Sequence, residues 1–137
     1  MIFEGAIDAH VHLWEQDRND DILVLQTKPH LKSMASKTIL ADFLAAEKVS
    51  GAIVVQSAPN RAHSNWLRQA ARNIPKVSGI VGWLNPVDPK VNSDIDILRR
   101  DPLVCGIRLM LNRMLRVDEL HTPSAISALT SSANAGL

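Results

Sequence analysis

Two histidines one residue apart lie in a short apolar run near the amino terminus, and these are the residue types in this chain best suited to chemistry. The run reads IDAHVHLW over residues 7–14. Because side chains alternate between the two faces of a β-strand, Asp8, His10 and His12 are predicted to share one face. Neutral imidazole binds zinc and related ions, so the pair predicts half of a metal site. A surface or hydrogen-bonded pair of histidines is the alternative.

An arginine inside an apolar stretch is the second candidate. Residues 103–111 read LVCGIRLML, a predicted strand in which Arg108 is the one charged residue. A guanidinium in a buried strand is costly unless it is paired. Arg108 is therefore expected either to face an acidic group or ligand, or to bond backbone carbonyls at a strand edge. Cys105 in the same stretch is interpreted as a small buried hydrophobe.

Composition narrows the class of protein. The chain has 137 residues, of which 46% are hydrophobic and 21% are charged, and its net charge is +1. This indicates one globular domain, with no basic stripe for nucleic acid. A single cysteine fits a reducing compartment, and neither a leader pattern nor a membrane-spanning run is present. We interpret Met1 as the native start and expect a cytoplasmic protein that contacts neither nucleic acid nor membrane.

The remaining elements must position these residues. Apolar, β-branched runs predict strands at 51–57, 77–84 and 103–111, and residues 15–36 are predicted to form a long loop that could fold over the site as a lid. Helical periodicity predicts helices from Thr38 to about 49, after an Asn60 cap, over about 92–100, and after Thr122. We expect His63 to face solvent, and Ile126, Leu129 and Ala133 to continue the last helix. The alternation predicts a parallel sheet, either a small doubly wound sheet or the first half of a (β/α)8 barrel, which needs about 250 residues.

Four stretches in order resemble one family. DAHVHLW at 8–14, GAIVVQSAP at 51–59, VSGIVGW at 77–83 and GIRLM at 106–110 are similar to strands 1 to 4 of the amidohydrolase-related hydrolases. More narrowly, they resemble the branch that contains sugar lactonases and 2-pyrone-4,6-dicarboxylate lactonase. The resemblance favours the barrel: an α/β fold comprising the first four βα units of a TIM barrel, with residues 1–137 forming a domain that is incomplete at its carboxyl terminus.

The resemblance also implies a site at the carboxyl ends of the strands. His10 and His12 would be catalytic, as first-strand ligands of a divalent metal, with zinc expected, or as carbonyl-polarising donors in members that work without metal. Arg108 would hold a substrate carboxylate or hydroxyl group. Gln56 and Trp14 are implied as substrate-binding residues that line the pocket.

The resemblance also implies a residue that supports the histidine pair, and it identifies site residues of the family that have no counterpart in this sequence. Asp8 would support the histidine pair from the start of the same strand. The family's ligands on strands 5 and 6 and its aspartate base on strand 8 have no counterpart here, and His121 does not match them by motif.

The implied activity is hydrolysis of a small-molecule substrate, a sugar lactone or a similar cyclic ester. Because the general base is missing, this chain is expected to be inactive on its own. Two alternatives stay open: a decarboxylase of the same superfamily, and a non-catalytic half-barrel that self-associates through its open sheet edges.

Overall fold

Strands and helices alternate along the chain in the computed structural model, which describes residues 5–14, 25, 27–33, 36–46, 49–113 and 116–137. The strands are β1 (Ile7–Val11), β2 (Gly51–Val55), β3 (Val77–Trp83) and β4 (Val104–Arg108). The helices are α1 (Lys37–Ala46), α2 (Arg61–Arg72), α3 (Val91–Arg99) and α4 (Pro123–Asn134). Short 3₁₀ helices cover Pro29–Ser33, Leu111–Arg113 and Val117–His121.

The four strands form one parallel sheet in the order β1-β2-β3-β4. A doubly wound sheet reverses its strand order at a switch point, whereas barrel strands follow one another in chain order. The observed order therefore agrees with the first half of a barrel. The predicted strands and helices are confirmed, with strand ends shifted by up to three residues.

All four helices pack on one face of the sheet. The larger core joins α1 and α2 to β2 and β3, and the smaller joins α3 and α4 to the end of β3. Val11 and Leu13 belong to the larger core or pack against it. Since side chains alternate along a strand, His10 and His12 lie on the opposite face, which corresponds to a barrel interior. The buried members of the two cores are Leu13, Leu40, Leu44, Ala52, Val54, Leu67, Ala71, Ile74, Ile80, Leu84, Val91, Ile95, Leu98 and Ala128.

One prediction about a helix face is wrong. His63 is buried rather than facing solvent, because its Nε2 lies 3.1 Å from Ser57 Oγ and its ring packs edge-on against Trp66. Ile126 is 52% exposed. The inward face of α4 consists instead of its small residues, Ala125, Ala128 and Ser132.

The structure corrects the expectation for Cys105 and describes only part of the loop predicted over 15–36. Cys105 is exposed rather than buried, because it lies on the face of β4 that the helices do not cover. The loop predicted over 15–36 contains helical residues at Leu25 and Thr27 and the 3₁₀ helix Pro29–Ser33. The rest of it falls outside the described residues, apart from Lys28 and Ser36. No helix in the described ranges is long and apolar enough to cross a membrane.

A buried carboxylate joins α2 to the start of β4. Asp101 Oδ2 accepts hydrogen bonds from Arg68 Nε at 2.6 Å and Arg72 Nη2 at 2.8 Å, and its side chain is 0% exposed. Asp101 Oδ1 accepts from the Leu103 amide at 3.2 Å. Burial acts to raise the pKa of Asp101, but the hydrogen bonds from the two arginines and the amide outweigh it and hold the pKa below its usual value.

Replacing this carboxylate should destabilise the fold. We expect Asp101→Asn to lower the free energy of unfolding at pH 7 by about 2 kcal/mol, since it leaves a buried hydrogen-bond network incomplete. A depressed pKa stabilises the fold above the unfolded value of about 3.9 and ceases to do so as the pH falls through the folded value. The difference between wild type and variant in urea melts should therefore shrink below about pH 4. The control is Asp96→Asn, whose exposed i,i+3 pair with Arg99 is screened by solvent, so this variant should leave the free energy of unfolding nearly unchanged. Equal losses in both variants would contradict the assignment.

The sheet has two outer strands in the part of the chain that the structure describes, β1 and β4, each paired on one side. Unpaired strand edges promote association, and Ile7 on β1 is 52% exposed. We expect the isolated chain to form a tight dimer or larger aggregates, measured by sedimentation velocity across a concentration series. A monodisperse monomer that unfolds in one steep urea transition would contradict this expectation.

Candidate active site

The candidate site lies where the parallel strands end. In a sheet of this kind the carboxyl ends of all strands share one edge, so residues distant in sequence meet there. The structure brings together His12 just after β1, Gln56 just after β2, and Arg108 at the end of β4. Two hydrogen bonds, to the adjacent carbonyls of Val55 and Gln56, connect them.

The two imidazoles face each other. His10 Nε2 and His12 Nε2 are 3.4 Å apart, and the rings are nearly perpendicular, with centroids separated by 4.9 Å. His12 Nδ1 lies 2.7 Å from the carbonyl oxygen of Val55 on β2. A carbonyl can only accept, so His12 Nδ1 carries the proton and the Nε2 of neutral His12 presents its lone pair to His10. In the pair as it stands, His10 Nε2 is therefore the donor.

Burial keeps His12 in this neutral form. Desolvation is the largest effect and lowers the pKa of His12, while the hydrogen bond to Val55 acts in the opposite direction. The positive charges of Arg108 and His10 lower it further. The pKa of His12 therefore lies below its ordinary value, which favours the form of imidazole that can bind a metal ion or accept a proton.

Asp8 supports His10 through the backbone. Its Oδ1 accepts a hydrogen bond from the His10 amide at 3.1 Å. Asp8 pairs with Ala52, and Val11 pairs with Val54, so an advance of three residues along β1 corresponds to an advance of two residues along β2. The register of the β1–β2 pair thus shifts between Asp8 and Val11, and the Asp8 carboxylate contacts the backbone of His10.

The donor set fits two ligands of a tetrahedral zinc ion. Two nitrogens bound at about 2.0–2.1 Å to one tetrahedral ion are about 3.4 Å apart, which is the spacing of the Nε2 atoms here. The bond from His12 Nδ1 to a backbone carbonyl is the usual outer contact of a metal-binding histidine. Within the described ranges, no group of three or more His, Cys, Asp or Glu residues could complete the set.

Arg108 reaches the same place from β4. Its Nη1 donates to the backbone oxygen of Gln56 at 2.8 Å, and its side chain is half-buried. This is the backbone-bonded arrangement that the sequence left open. The bond fixes the guanidinium beside the histidines, where its charge acts on His12.

Gln56 is wholly buried, with 0% exposure. Its Nε2 donates to the carbonyls of Ala58 at 2.7 Å and Asn60 at 3.1 Å, and its Oε1 accepts from the Trp83 amide at 3.0 Å. The side chain thus holds the ends of β2 and β3 in place below the site. Its role in substrate binding stays a prediction.

Trp14 is also buried, at 8% exposure. Its Nε1 donates to the Leu31 carbonyl at 3.0 Å, and the ring packs with Leu25 and Ala58. This places the indole between the end of β1 and the segment before α1. Contact with substrate stays a prediction for Trp14 as well.

Two features at this edge were missed from the sequence. Ser57 Oγ lies 3.2 Å from the Leu13 carbonyl and 3.1 Å from His63 Nε2, linking β1 to α2. A cavity of about 430 Å³ opens beyond Trp83, between the segments that follow β3 and β4. The polar residue Asn85, immediately after the β3 run, was the available signal for the cavity.

Comparisons with known proteins support the family resemblance. The chain is 32% identical over 117 residues to the L-fucono-1,5-lactonase of Burkholderia ambifaria, a match that covers 85% of this chain and 40% of that protein. No family model matches the sequence. The chain thus spans about two fifths of the length of its curated relative.

Solved structures show the same fold. The chain superimposes with a TM-score of 0.74 on an amidohydrolase from Burkholderia multivorans crystallised with bound zinc, at 20% identity, covering 91% of this chain and 44% of that one. An amidohydrolase 2 from Bifidobacterium longum subsp. infantis gives a TM-score of 0.65 at 21% identity, covering 97% and 49%. The predicted half-barrel and the resemblance to the amino-terminal part of amidohydrolases are confirmed.

The histidine pair should bind zinc, but weakly, since it offers two ligands where catalytic zinc sites have three. Titration of the chain with ZnCl₂, followed by NMR of the imidazole resonances, should perturb His10 and His12. His10→Ala and His12→Ala should each abolish that response. The matched control is His121→Ala, an exposed histidine that lies outside the pair and should leave the response unchanged. Equal zinc binding by wild type and the two pair variants would remove the pair from the metal site.

Proposed function

We propose that this chain, related to the amino-terminal part of the amidohydrolases, forms the first four βα units of a barrel hydrolase that opens a sugar lactone or a similar cyclic ester. The observation that carries the proposal is the pair of Nε2 atoms 3.4 Å apart at the carboxyl end of β1. The lactonase relative, at 32% identity, supports the choice of a lactone over other esters. Residues 1–137 would belong to one barrel domain.

The reaction adds water to the lactone. The water oxygen bonds to the carbonyl carbon, the ring carbon–oxygen bond breaks, and the departing ring oxygen takes up a proton. The product is an open hydroxy acid. Negative charge develops on the carbonyl oxygen during the addition, so catalysis needs donors aimed at that oxygen.

His10 is suited to that task, and His12 positions it. His10 Nε2 carries a proton that it can donate to a carbonyl oxygen in place of His12 Nε2. His12 is held in its tautomer by the Val55 carbonyl, which fixes the direction of its own Nε2. Alternatively, with the proton of His10 on its other ring nitrogen, the two Nε2 atoms would hold a divalent cation, which would supply the polarisation of the carbonyl in place of the His10 N–H.

Arg108 would orient the substrate. One of its N–H groups is committed to the Gln56 carbonyl, which leaves the outer part of the half-buried guanidinium for a substrate hydroxyl or carboxylate. Gln56 and Trp14 would shape the pocket from behind, Gln56 by fixing strand ends and Trp14 by filling the space beside β1.

The base that removes the proton from water is expected from later strands, on the resemblance to the family. Asp8 is the acidic residue nearest in sequence to the pair, and its carboxylate is bonded to the His10 amide. The chain therefore supplies the polarising half of the reaction, and the proton acceptor must come from the remainder of a barrel.

Activity should depend on completing the barrel. The chain by itself should hydrolyse L-fucono-1,5-lactone no faster than buffer, and a longer protein or a separately added carboxyl-terminal half should restore turnover. In the restored enzyme, His10→Ala and His12→Ala should each lower kcat by about 10²-fold or more. Hydroxy acid formation is followed by pH indicator, and released carbon dioxide is measured in parallel.

The outcomes separate the candidates. His121→Ala is the control and should retain normal kcat. Near-normal rates in either pair variant would exclude that histidine from the mechanism. Carbon dioxide release without ring opening would replace the hydrolase with a decarboxylase.

A further inference from the structure

The cavity beyond β3 has the size and lining of a small-molecule site. Its volume of about 430 Å³ falls within the range of ligand pockets. Its wall is mainly apolar, and its rim carries charged and amide groups. Trp83, Leu84 and Met110 contribute to the wall, and Asn85 and Arg113 to the rim.

Hydrogen bonds link the wall of the cavity to the residues that hold the histidine site. Trp83 pairs in register with Arg108, and the Leu84 amide donates to the Arg108 carbonyl at 3.2 Å. Arg108 in turn is bonded to the backbone of Gln56, next to Val55, which holds His12. The cavity and the histidines therefore lie along the same carboxyl edge of the sheet.

The rim of the cavity carries one arginine that stands outside its ion pairs. Arg116 pairs with two carboxylates, Asp118 at 2.9 Å and Glu119 at 3.6 Å. Arg113 has neither a side-chain hydrogen bond nor an ion pair with any residue that the structure describes, and it is exposed. The two residues after it in the sequence are Met and Leu, which carry no charge.

We infer that Arg113 determines specificity at this cavity by binding the carboxylate of a sugar acid, so that the open hydroxy acid binds more tightly than a neutral sugar ring. A guanidinium forms two parallel hydrogen bonds with a carboxylate, which a neutral lactone or sugar cannot match. Trp83 and Met110 offer apolar surface to the carbon skeleton. The choice of a sugar acid rests on the proposed function, because hydrolysis is what creates the carboxylate.

The test compares a charged and a neutral probe on the full chain. L-Fuconate and L-fucose are titrated at equal ionic strength while tryptophan fluorescence and amide NMR shifts are followed. L-Fuconate should bind at least about fivefold more tightly than L-fucose, as expected for one charge-assisted contact at an exposed site. Arg113→Gln should reduce that ratio to about one. Trp83→Phe should remove most of the fluorescence change.

A matched control separates a site from general attraction of anions. Arg100→Gln removes the same charge from an exposed arginine at the end of α3, away from the cavity, and should leave the ratio unchanged. Urea melts of both variants should match wild type. Equal affinity for the two probes, or equal losses in Arg113→Gln and Arg100→Gln, would overturn the inference.

Failure here is distinguishable from failure of the proposed function. Lactone turnover in the completed enzyme, with L-fuconate affinity indifferent to Arg113, would overturn the inference and leave the hydrolase. Binding of L-fuconate that depends on Arg113, without turnover in the completed enzyme, would support the cavity and overturn the hydrolase.

Discussion

The buried amide of Gln56 is the contact on which the carboxyl edge of the sheet depends. Its side chain bonds the Trp83 amide of β3 and two carbonyls of its own loop, while its backbone oxygen accepts from Arg108 of β4 and its backbone amide donates to Val81. One residue earlier, Val55 accepts from His12 of β1. All four strand ends are thus connected through two adjacent residues. A buried amide with all of its polar atoms satisfied stabilises a single arrangement, because any shift of a strand end leaves a desolvated group without a partner.

Charge on the outer side of the sheet serves a separate purpose. Arg61 bonds Asp94 at 2.7 Å and Asp88 at 2.6 Å, and Arg68 bonds Asp101 at 2.6 Å. In both Arg61–Asp94 and Arg68–Asp101 the two partners are 33 residues apart in the sequence, as expected if α2 packs along the βα unit that follows it. Arg61 joins α2 to α3, and Arg68 joins α2 to the start of β4. Arg108 and Arg113, on the carboxyl edge, lack such carboxylate partners among the described residues.

Local signals in the sequence predicted the elements well and the contacts between them poorly. The β-branched run before Gln56 gave β2, and Asn60 caps α2 through the His63 amide as its residue type suggested. The role of Gln56 depends on Trp83, 27 residues away, and no periodicity reports such a partner. His63 was misplaced for the same reason, since Ser57 comes within reach only after the strand and helix have packed. For the site, spacing brought His10 and His12 together correctly, whereas the irregular pairing of β1 altered the place of Asp8.

The exposure of the histidine pair bears on the proposal that the half-barrel alone is inactive. His10 is exposed and His12 half-buried, so water competes for the Nε2 atoms and screens the charge of Arg108. Donors stabilise a developing oxyanion most when they are fixed in a water-excluded, low-dielectric site. Here Val55 already fixes the tautomer and direction of His12. The imidazole is therefore oriented, but water still reaches the pair. Covering the inner face of the sheet would therefore increase the electrostatic effect of the same two imidazoles without moving them. Under the proposed function, closure of the barrel would contribute to catalysis separately from the supply of a base.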